Sequence, residues 1–297
     1  MQNQNLTDQD TLTVGITSYN EGAAITATLN SLWSALSTLG RQNAFFILSD
    51  SSDSDATLQA VKAWADRASP RMAIYHSDKR RSLKEALNEI LERATSDLLI
   101  CVNADVVVPA DSLKKLLQHL QGEMRCDIAI GTSLPAWRGR GLAGRASTWQ
   151  LNVVYRLACR RPSNALRADG VFWGSRKAFY SSFRYKIAEG SIADDVQLTE
   201  ALSGSSWKVR NAFDAVVLKV PASSLRDFAV TALRSFAANT NHVDTPGRAA
   251  AAFAEALSDP VGALCYLIAR TYTAARRRAL RPLAATEYWE IAATTKR

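Results

Sequence analysis

Leu98-Leu99-Ile100-Cys101-Val102-Asn103-Ala104-Asp105 is an apolar run that stops on an amide and a carboxylate. A short apolar run bounded by polar residues reads as a strand buried on both faces. Just before it, Ser82 to Ala94 carries Leu83, Ala86, Leu87, Ile90 and Leu91 at the spacing of one helix face. The same alternation repeats toward the N-terminus. Leu12 to Ile16, Ala44 to Leu48 and Met72 to Tyr75 are strand-like, and Ala23 to Leu39 and Ala56 to Asp66 are helical. Strands alternating with helices predict an α/β fold with a mainly parallel sheet covered on both faces. Ligands of such sheets bind beyond the carboxyl ends of the strands.

All four strand tips are polar. The first reads Thr17-Ser18-Tyr19-Asn20-Glu21 and the second Ser49-Asp50-Ser51-Ser52-Asp53-Ser54-Asp55. The third reads His76-Ser77-Asp78-Lys79-Arg80-Arg81, and the fourth is Asn103-Ala104-Asp105. A carboxylate at a buried strand end, facing a basic tip, suits a divalent cation shared with a diphosphate, because Mg²⁺ and Mn²⁺ take oxygen ligands. The competing reading of Asp105 is a cap for the helix expected near Ala110.

Beyond Asp127 the pattern loosens. Asp127 to Ser133 reads as a strand, and Gly139 to Arg161 as a basic helix after its glycines. Asp169 to Arg176 reads as a strand or loop at a site edge; Trp137, Trp149 and Trp173 read first as core or rim, and Trp173, beside Gly170 and Gly174, is with Gly170 the candidate for the acceptor side. Asp194-Asp195 stand where a helix should begin, and Trp207 to Val209 and Ala212 to Val217 read as two short strands. The expected organisation is one domain over 1–241, with a nucleotide-binding half (12–105) and an acceptor-binding half (106–241). A helical basic tail follows over 242–297.

The 297 residues are 47% hydrophobic and 22% charged, which excludes disordered, collagen-like and disulfide-scaffold classes. The net charge of +8 suits an anionic partner. Cys101, Cys126, Cys159 and Cys265 are far apart, the pattern of free thiols in a reducing compartment. The N-terminus has no signal-peptide pattern, and Val261 to Ala269 is short of the ~20 residues a spanning helix needs. The expected location is cytoplasmic. The tail carries Arg270, Arg276, Arg277, Arg278 and Arg281 among Leu264, Tyr266, Leu267, Ile268, Tyr272 and Leu280. Such a segment either lies on an anionic membrane, here the inner face of the cytoplasmic membrane, or packs on the domain with its arginines solvated.

Taken in order, Tyr19-Asn20-Glu21, Asp50 with Ser52-Asp53-Ser54-Asp55-Ala56-Thr57, Ala86-Leu87-Asn88, Asn103-Ala104-Asp105 and Asp194-Asp195-Val196-Gln197-Leu198 resemble the family 2 glycosyltransferases of the GT-A fold. The resemblance runs from about Leu12 to Arg234. It implies that Thr17, Tyr19 and Glu21 line the base and ribose pocket and that Asp50 hydrogen-bonds the nucleobase. It implies that Lys79 and Arg81 approach the sugar nucleotide, with Asn103 beside it, and that Asp105 binds Mn²⁺ or Mg²⁺. It further implies that Asp195 is the catalytic base with Asp194 orienting it, and that Arg234 lies near the leaving diphosphate.

Three positions depart from the family pattern. Asn103 replaces the first carboxylate of D-x-D, Ser82 stands where glycine is common, and Arg234-Ser235-Phe236 lacks the Q-x-x-R-W signature of processive synthases. The implied reaction is inverting, metal-dependent transfer of a sugar from a UDP-linked donor to a glycan or lipid-linked acceptor. The metal and basic residues stabilise the departing diphosphate while a carboxylate takes the acceptor proton. Capping by Asp194 and Asp195 is the plainer alternative for that pair. Two other functions stand beside this one. A sugar-nucleotide nucleotidyltransferase would carry a Gly-rich phosphate loop where Ser18-Tyr19-Asn20-Glu21 stands. A nucleic-acid-binding protein would need a basic face with interleaved aromatics, and the acidic tips speak against nucleic acid as a partner.

Overall fold

Every residue of Leu12–Ser18 is buried, and this strand, β1, lies inside the sheet. The computed structural model describes residues 11–123, 125–160, 170–187, 194–229 and 245–279. β1 pairs in parallel with β2 (Phe45–Asp50) on one side and β4 (Leu98–Asn103) on the other, and β3 (Arg71–His76) extends the sheet beyond β2. Between them run α1 (Ile25–Thr38), α2 (Ala56–Ala68) and α3 (Leu83–Arg93). The chain turns outward in opposite directions from β1 and β4, so their carboxyl ends border the crevice where doubly wound sheets bind ligands.

The second half completes an eight-stranded sheet in the order β3-β2-β1-β4-β7-β6-β8-β5. Here β5 is Val106–Val107, β6 is Ile128–Pro135, β7 is Phe172–Arg176 and β8 is Val209–Lys219. β7 is antiparallel to both β4 and β6, and β6 runs parallel to β8. The two short strands expected at 207–217 are therefore one long strand, which passes a register shift opposite Ile130 and Thr132. The remaining helices are α4 (Ala110–Gln121), α5 (Gly141–Arg160), α6 (Lys177–Ser182), α7 (Asp194–Leu202), α8 (Thr245–Ser258) and α9 (Pro260–Ala279).

Alternate residues of the strands feed two cores. Val14, Ile16, Phe46, Leu48, Ile100 and Val102 pack with Leu29, Leu36, Trp64 and Leu116 of α1, α2 and α4. Ile47, Leu99, Cys101, Ile130 and Trp173 pack on the other face with α3, α6 and α7. Gly15 lets α3 approach β1, since a Cβ there would lie 2.3 Å from Ile90 Cγ2. Residues 225–229 are helical, and Phe228 meets Tyr266 of α9 at 6.0 Å between ring centroids. Tyr266 also lies 4.5 Å from the Trp149 ring of α5. The C-terminal helices thus pack on α5.

Candidate functional site

Asp50 ends β2 with no exposed surface. Its carboxylate accepts from Ser18 Oγ at 2.6 Å, Ser52 Oγ at 2.7 Å and Ser52 N at 3.2 Å, and lies 2.8 Å from His76 Nδ1. One buried carboxylate therefore ties the tips of β1, β2 and β3 together. This corrects its expected place against a nucleobase: its oxygens face protein donors. His76 opens the polar tip of β3 in the sequence, and the register sets it beside Asp50. The outward carboxylate of this loop is Asp53, which accepts from Tyr19 Oη at 2.7 Å and Asn20 Nδ2 at 2.8 Å. Asn20, at a φ of 54°, in turn accepts from Asp53 N at 2.9 Å. Burial, and then the bond to Asp53, push the Tyr19 phenol up to about 12, so it stays a donor. Arg80 lies 4.8 Å over its ring. Thr17 is buried at the end of β1, while Tyr19 and Glu21 are partly exposed beyond it.

Arg81 is also turned inward. It donates to Glu89 Oε2 at 2.8 Å, to the Asp50 carbonyl at 3.1 Å and to Ser49 Oγ at 3.2 Å. Its guanidinium latches β2 to α3, whereas Lys79 is exposed. Ser82 has a structural reason. It caps α3, accepting from Glu85 N, while Glu85 accepts from Ser82 N at 2.6 Å. Topology also corrects the expected pairing of Asp105 with Lys79 and Arg81. β3 is three strand spacings from β4, about 14 Å at the usual separation. Among the described residues a cation that does lie beside Asp105 is Lys219 at the end of β8, with Nζ 3.8 Å from Oδ2.

The Asn103-Ala104-Asp105 turn is held from two sides. The Thr28 hydroxyl of α1 bonds the carbonyls of Ala104 and Val106 at 2.7 and 2.6 Å. Asn103 N donates to the Val171 carbonyl at 3.1 Å. The N-cap of α4 is Pro109 with no side-chain cap bond, which removes the capping reading of Asp105. Among the described residues no three His, Cys, Asp or Glu side chains gather as a metal cluster. The donor set here is one carboxylate and one amide. That chemistry fits Mg²⁺ or Mn²⁺ when phosphate oxygens and water complete the shell.

The acid pair lies in the first turn of α7, at the positive end of the helix. Asp194 is 8% exposed, and it sits against Gly170, where a Cβ would lie 2.3 Å from Asp194 Oδ2. Gly170 immediately precedes Val171, whose carbonyl receives Asn103 N. This chain of contacts brings the acid pair to the same sheet edge as Asp105. Asp195 Oδ1 accepts from Val196 N at 2.9 Å. The approach to α7 is pinned by two amides from the sequence motifs. Asn88 exchanges bonds of 2.9 and 2.8 Å with the Tyr185 backbone, and Gln197 exchanges two of 3.0 Å with the Lys186 backbone. Burial holds the Lys84 ammonium below its ordinary range, offset in part by the Asp194 charge. Burial likewise raises the Tyr185 phenol far above its ordinary range, with Asp194, Cys101 and Asp195 adding to it. Lys84 and Tyr185 carried no sequence signal, because nothing local marks a residue that meets a distant carboxylate.

Trp173 does not join this group. It is 0% exposed between β4 and β6, packed with the α3, α6 and α7 core, so its ring offers no face to an acceptor. A central strand of a covered sheet must fill its flanks with large apolar side chains, which is the role this tryptophan takes. Arg234 lies outside the described residues.

A parallel first half, joined through an antiparallel β7 to a second half in one sheet, defines the GT-A class. The structure is similar to mannosyltransferase PcManGT from Pyrobaculum calidifontis in complex with GDP-Man and Mn²⁺. That likeness has a TM-score of 0.58 and 18% identity over 98% of this chain and 86% of that one. It is also similar to S. aureus TarS 1–349 in complex with UDP-GlcNAc, with a TM-score of 0.50 and 16% identity over 84% of this chain and 73% of that one. For GalNAc-T7 with UDP, GalNAc and Mn²⁺ the TM-score is 0.51 and the identity 12%, over 71% and 43% of the two chains. No curated protein matches the sequence. The profile of Glycosyl transferase family 2 matches residues 13–183, more than half the chain. The chain belongs to that family and is a glycosyltransferase. This selects the transferase over the nucleotidyltransferase reading.

Proposed function

We propose that the chain is an inverting, non-processive glycosyltransferase that moves a sugar from a nucleoside-diphosphate donor, UDP-linked in the first instance, to a hydroxyl of a glycan or lipid-linked acceptor. The observation that carries this reading is the convergence of Asp105 and the acid pair on one sheet edge through Val171 and Gly170. Thr17, Tyr19 and Glu21 receive the nucleoside, with Asp50 and Arg81 bracing the loops that present them. Asp105, with Asn103 beside it, would hold Mn²⁺ or Mg²⁺ when a diphosphate is bound, and Lys79 approaches the sugar nucleotide from the β3 side. The bound cation supplies positive charge to the departing diphosphate.

Asp195 takes the acceptor proton as the hydroxyl oxygen bonds to the anomeric carbon and the bond to the diphosphate breaks on the opposite side. Asp194, fixed against Gly170, orients its neighbour. The neighbours solved with GDP-Man, UDP-GlcNAc and UDP support a nucleotide-sugar donor. The missing Q-x-x-R-W signature supports single additions. We place the enzyme at the inner face of the cytoplasmic membrane, where a lipid-linked acceptor is presented. Asp195→Asn tests the mechanism. Donor affinity should persist while single-turnover transfer falls ~10²- to 10⁴-fold, the range for a positioned general base. Near-wild-type transfer would remove Asp195 from this role.

A further inference from the structure

Helix α8 packs alanines and one carboxylate inward and turns its largest apolar side chains outward. Its Ala251 and Glu255 face inward, with Glu255 only 3% exposed, while Phe253 and Leu257 are 67% and 71% exposed. The buried Glu255 carboxylate is matched by Arg156 Nε at 2.6 Å and Asn152 Nδ2 at 2.9 Å on α5. Asp259, between α8 and α9, accepts from Arg138 at 2.6 Å. The hairpin is thus fastened to the domain through these polar groups together with Tyr266 and the small residues Ala251, Ala263 and Ala269. Its largest aliphatic side chains face away.

The outward face continues along α9. Gly262, Ala269 and Thr273 turn toward the protein, and Val261, Leu264, Leu267, Ile268 and Tyr272 are exposed. At about 100° per residue these five fill an arc of roughly 140° opposite the packed side. Seven of the ten large apolar side chains exposed among the described residues lie between Phe253 and Tyr272. A contiguous apolar face of this kind marks an interaction surface. Charge narrows the partner: residues 260–281 hold five arginines and no acid.

The geometry points to a bilayer-docking face, on which Phe253, Leu257, Val261, Leu264 and Ile268 enter the headgroup–acyl boundary of an anionic membrane while the arginine-rich end of α9 meets its headgroups. This deepens the function proposed above by assigning the membrane contact to particular residues, and it rests on that reading for its purpose. Among the described residues no helix is long and apolar enough to cross a membrane, so the face lies on the bilayer.

The test is co-sedimentation of the full chain with phosphatidylcholine vesicles with and without phosphatidylserine. Anionic vesicles should bind the protein, and Arg276→Gln with Arg277→Gln and Arg278→Gln should weaken binding by roughly two orders of magnitude. Leu257→Glu with Leu264→Glu and Ile268→Glu should weaken it by about tenfold per residue, with an unchanged melting temperature because these side chains are already exposed. High salt should remove the arginine contribution and leave the apolar one. Absent vesicle binding, or binding indifferent to the leucine–isoleucine triple, would overturn the proposal. So would a concentration-dependent dimer, abolished by that triple, in a protein that ignores vesicles; a second copy would then cover the face. Nucleotide release from donors in vesicle-free buffer is read in parallel. Docking without donor turnover supports this proposal and sinks the enzymatic one, and turnover without docking does the reverse.

Discussion

Gly170→Ala is the smallest change that disturbs the acid pair without altering either acid. The added Cβ would lie 2.3 Å from Asp194 Oδ2, 3.4 Å from Asp194 Cγ and 3.6 Å from Asp195 Cβ. Ordinary contact begins near 3.4 Å, so the Asp194 carboxylate has to retreat by about 1 Å. A displacement of that size at a positioned group costs roughly 10²-fold in rate, or about 2.7 kcal/mol in barrier. The loops proposed to receive the nucleoside lie on β1 and β2, so donor affinity should stay near wild type. The assay is single-turnover transfer alongside donor titration, for Gly170→Ala, Asp194→Ala and the double variant. Because Asp194→Ala deletes the oxygen that the new methyl meets, Gly170→Ala should add almost nothing on that background, and the cycle should show strong coupling. Transfer within twofold of wild type for Gly170→Ala, or independent losses in the double variant, would refute the assignment of Gly170 as the seat of the acid pair.

Asp105→Ala should abolish Mn²⁺-promoted nucleotide binding in calorimetry, with Asn103→Ala weakening it less. Wild-type protein without nucleotide should give little Mn²⁺ heat, since the donor set needs phosphate oxygens; tight binding of Mn²⁺ alone would contradict this. Asp50→Asn replaces a buried carboxylate that serves three strand tips, and should lower stability by about 2–3 kcal/mol, a drop of several degrees in a thermal melt. Asp97, which accepts from Thr11 N at 3.0 Å and Thr11 Oγ1 at 2.9 Å, has its carboxyl held below the ordinary 3.8 chiefly by those bonds. Its folded value lies below its unfolded one, so its contribution is full above about pH 4 and is lost as pH falls through the folded value. Asp97→Asn should flatten the acid limb of melting temperature against pH, and an unchanged limb would exclude this carboxylate as a source.

The first half was readable because its signals are local. Runs such as Leu98 to Val102 announce a buried strand, and Ser82 with Glu85 writes a helix start in two residues. Neighbourhood across the sheet was not local. Which strand lies beside which is decided by crossovers, so the sequence order of tips suggested that Arg81 faces Asp105, while Lys219, over a hundred residues further on, is a cation that lies beside it. Trp173 shows a related limit. A tryptophan flanked by glycines reads as core or as acceptor rim alike, and only the closing of β4 and β6 on both sides of it selects the core. Asp50 was found as a site residue but its direction was not. A strand-end carboxylate points to ligand or to its neighbours depending on their donors, and here Ser18, Ser52 and His76 supply them.

The position of β7 between β4 and β6 has a consequence for anyone exchanging parts among these enzymes. A graft cut after Asp105 would transfer the loops that end β1, β2 and β3 but leave the outer edge of β4 bare, with Leu98–Val102 deprived of the backbone partners that Phe172–Arg176 provide. An uncovered hydrophobic edge of that length invites aggregation. The transferable unit is therefore discontinuous in the chain: residues 11–107 together with 170–176, the second piece bringing the glycine that seats the acid pair. Chimeras that respect the strand order will therefore carry β7 along with the parallel half, while α7 with its acid pair stays with the host.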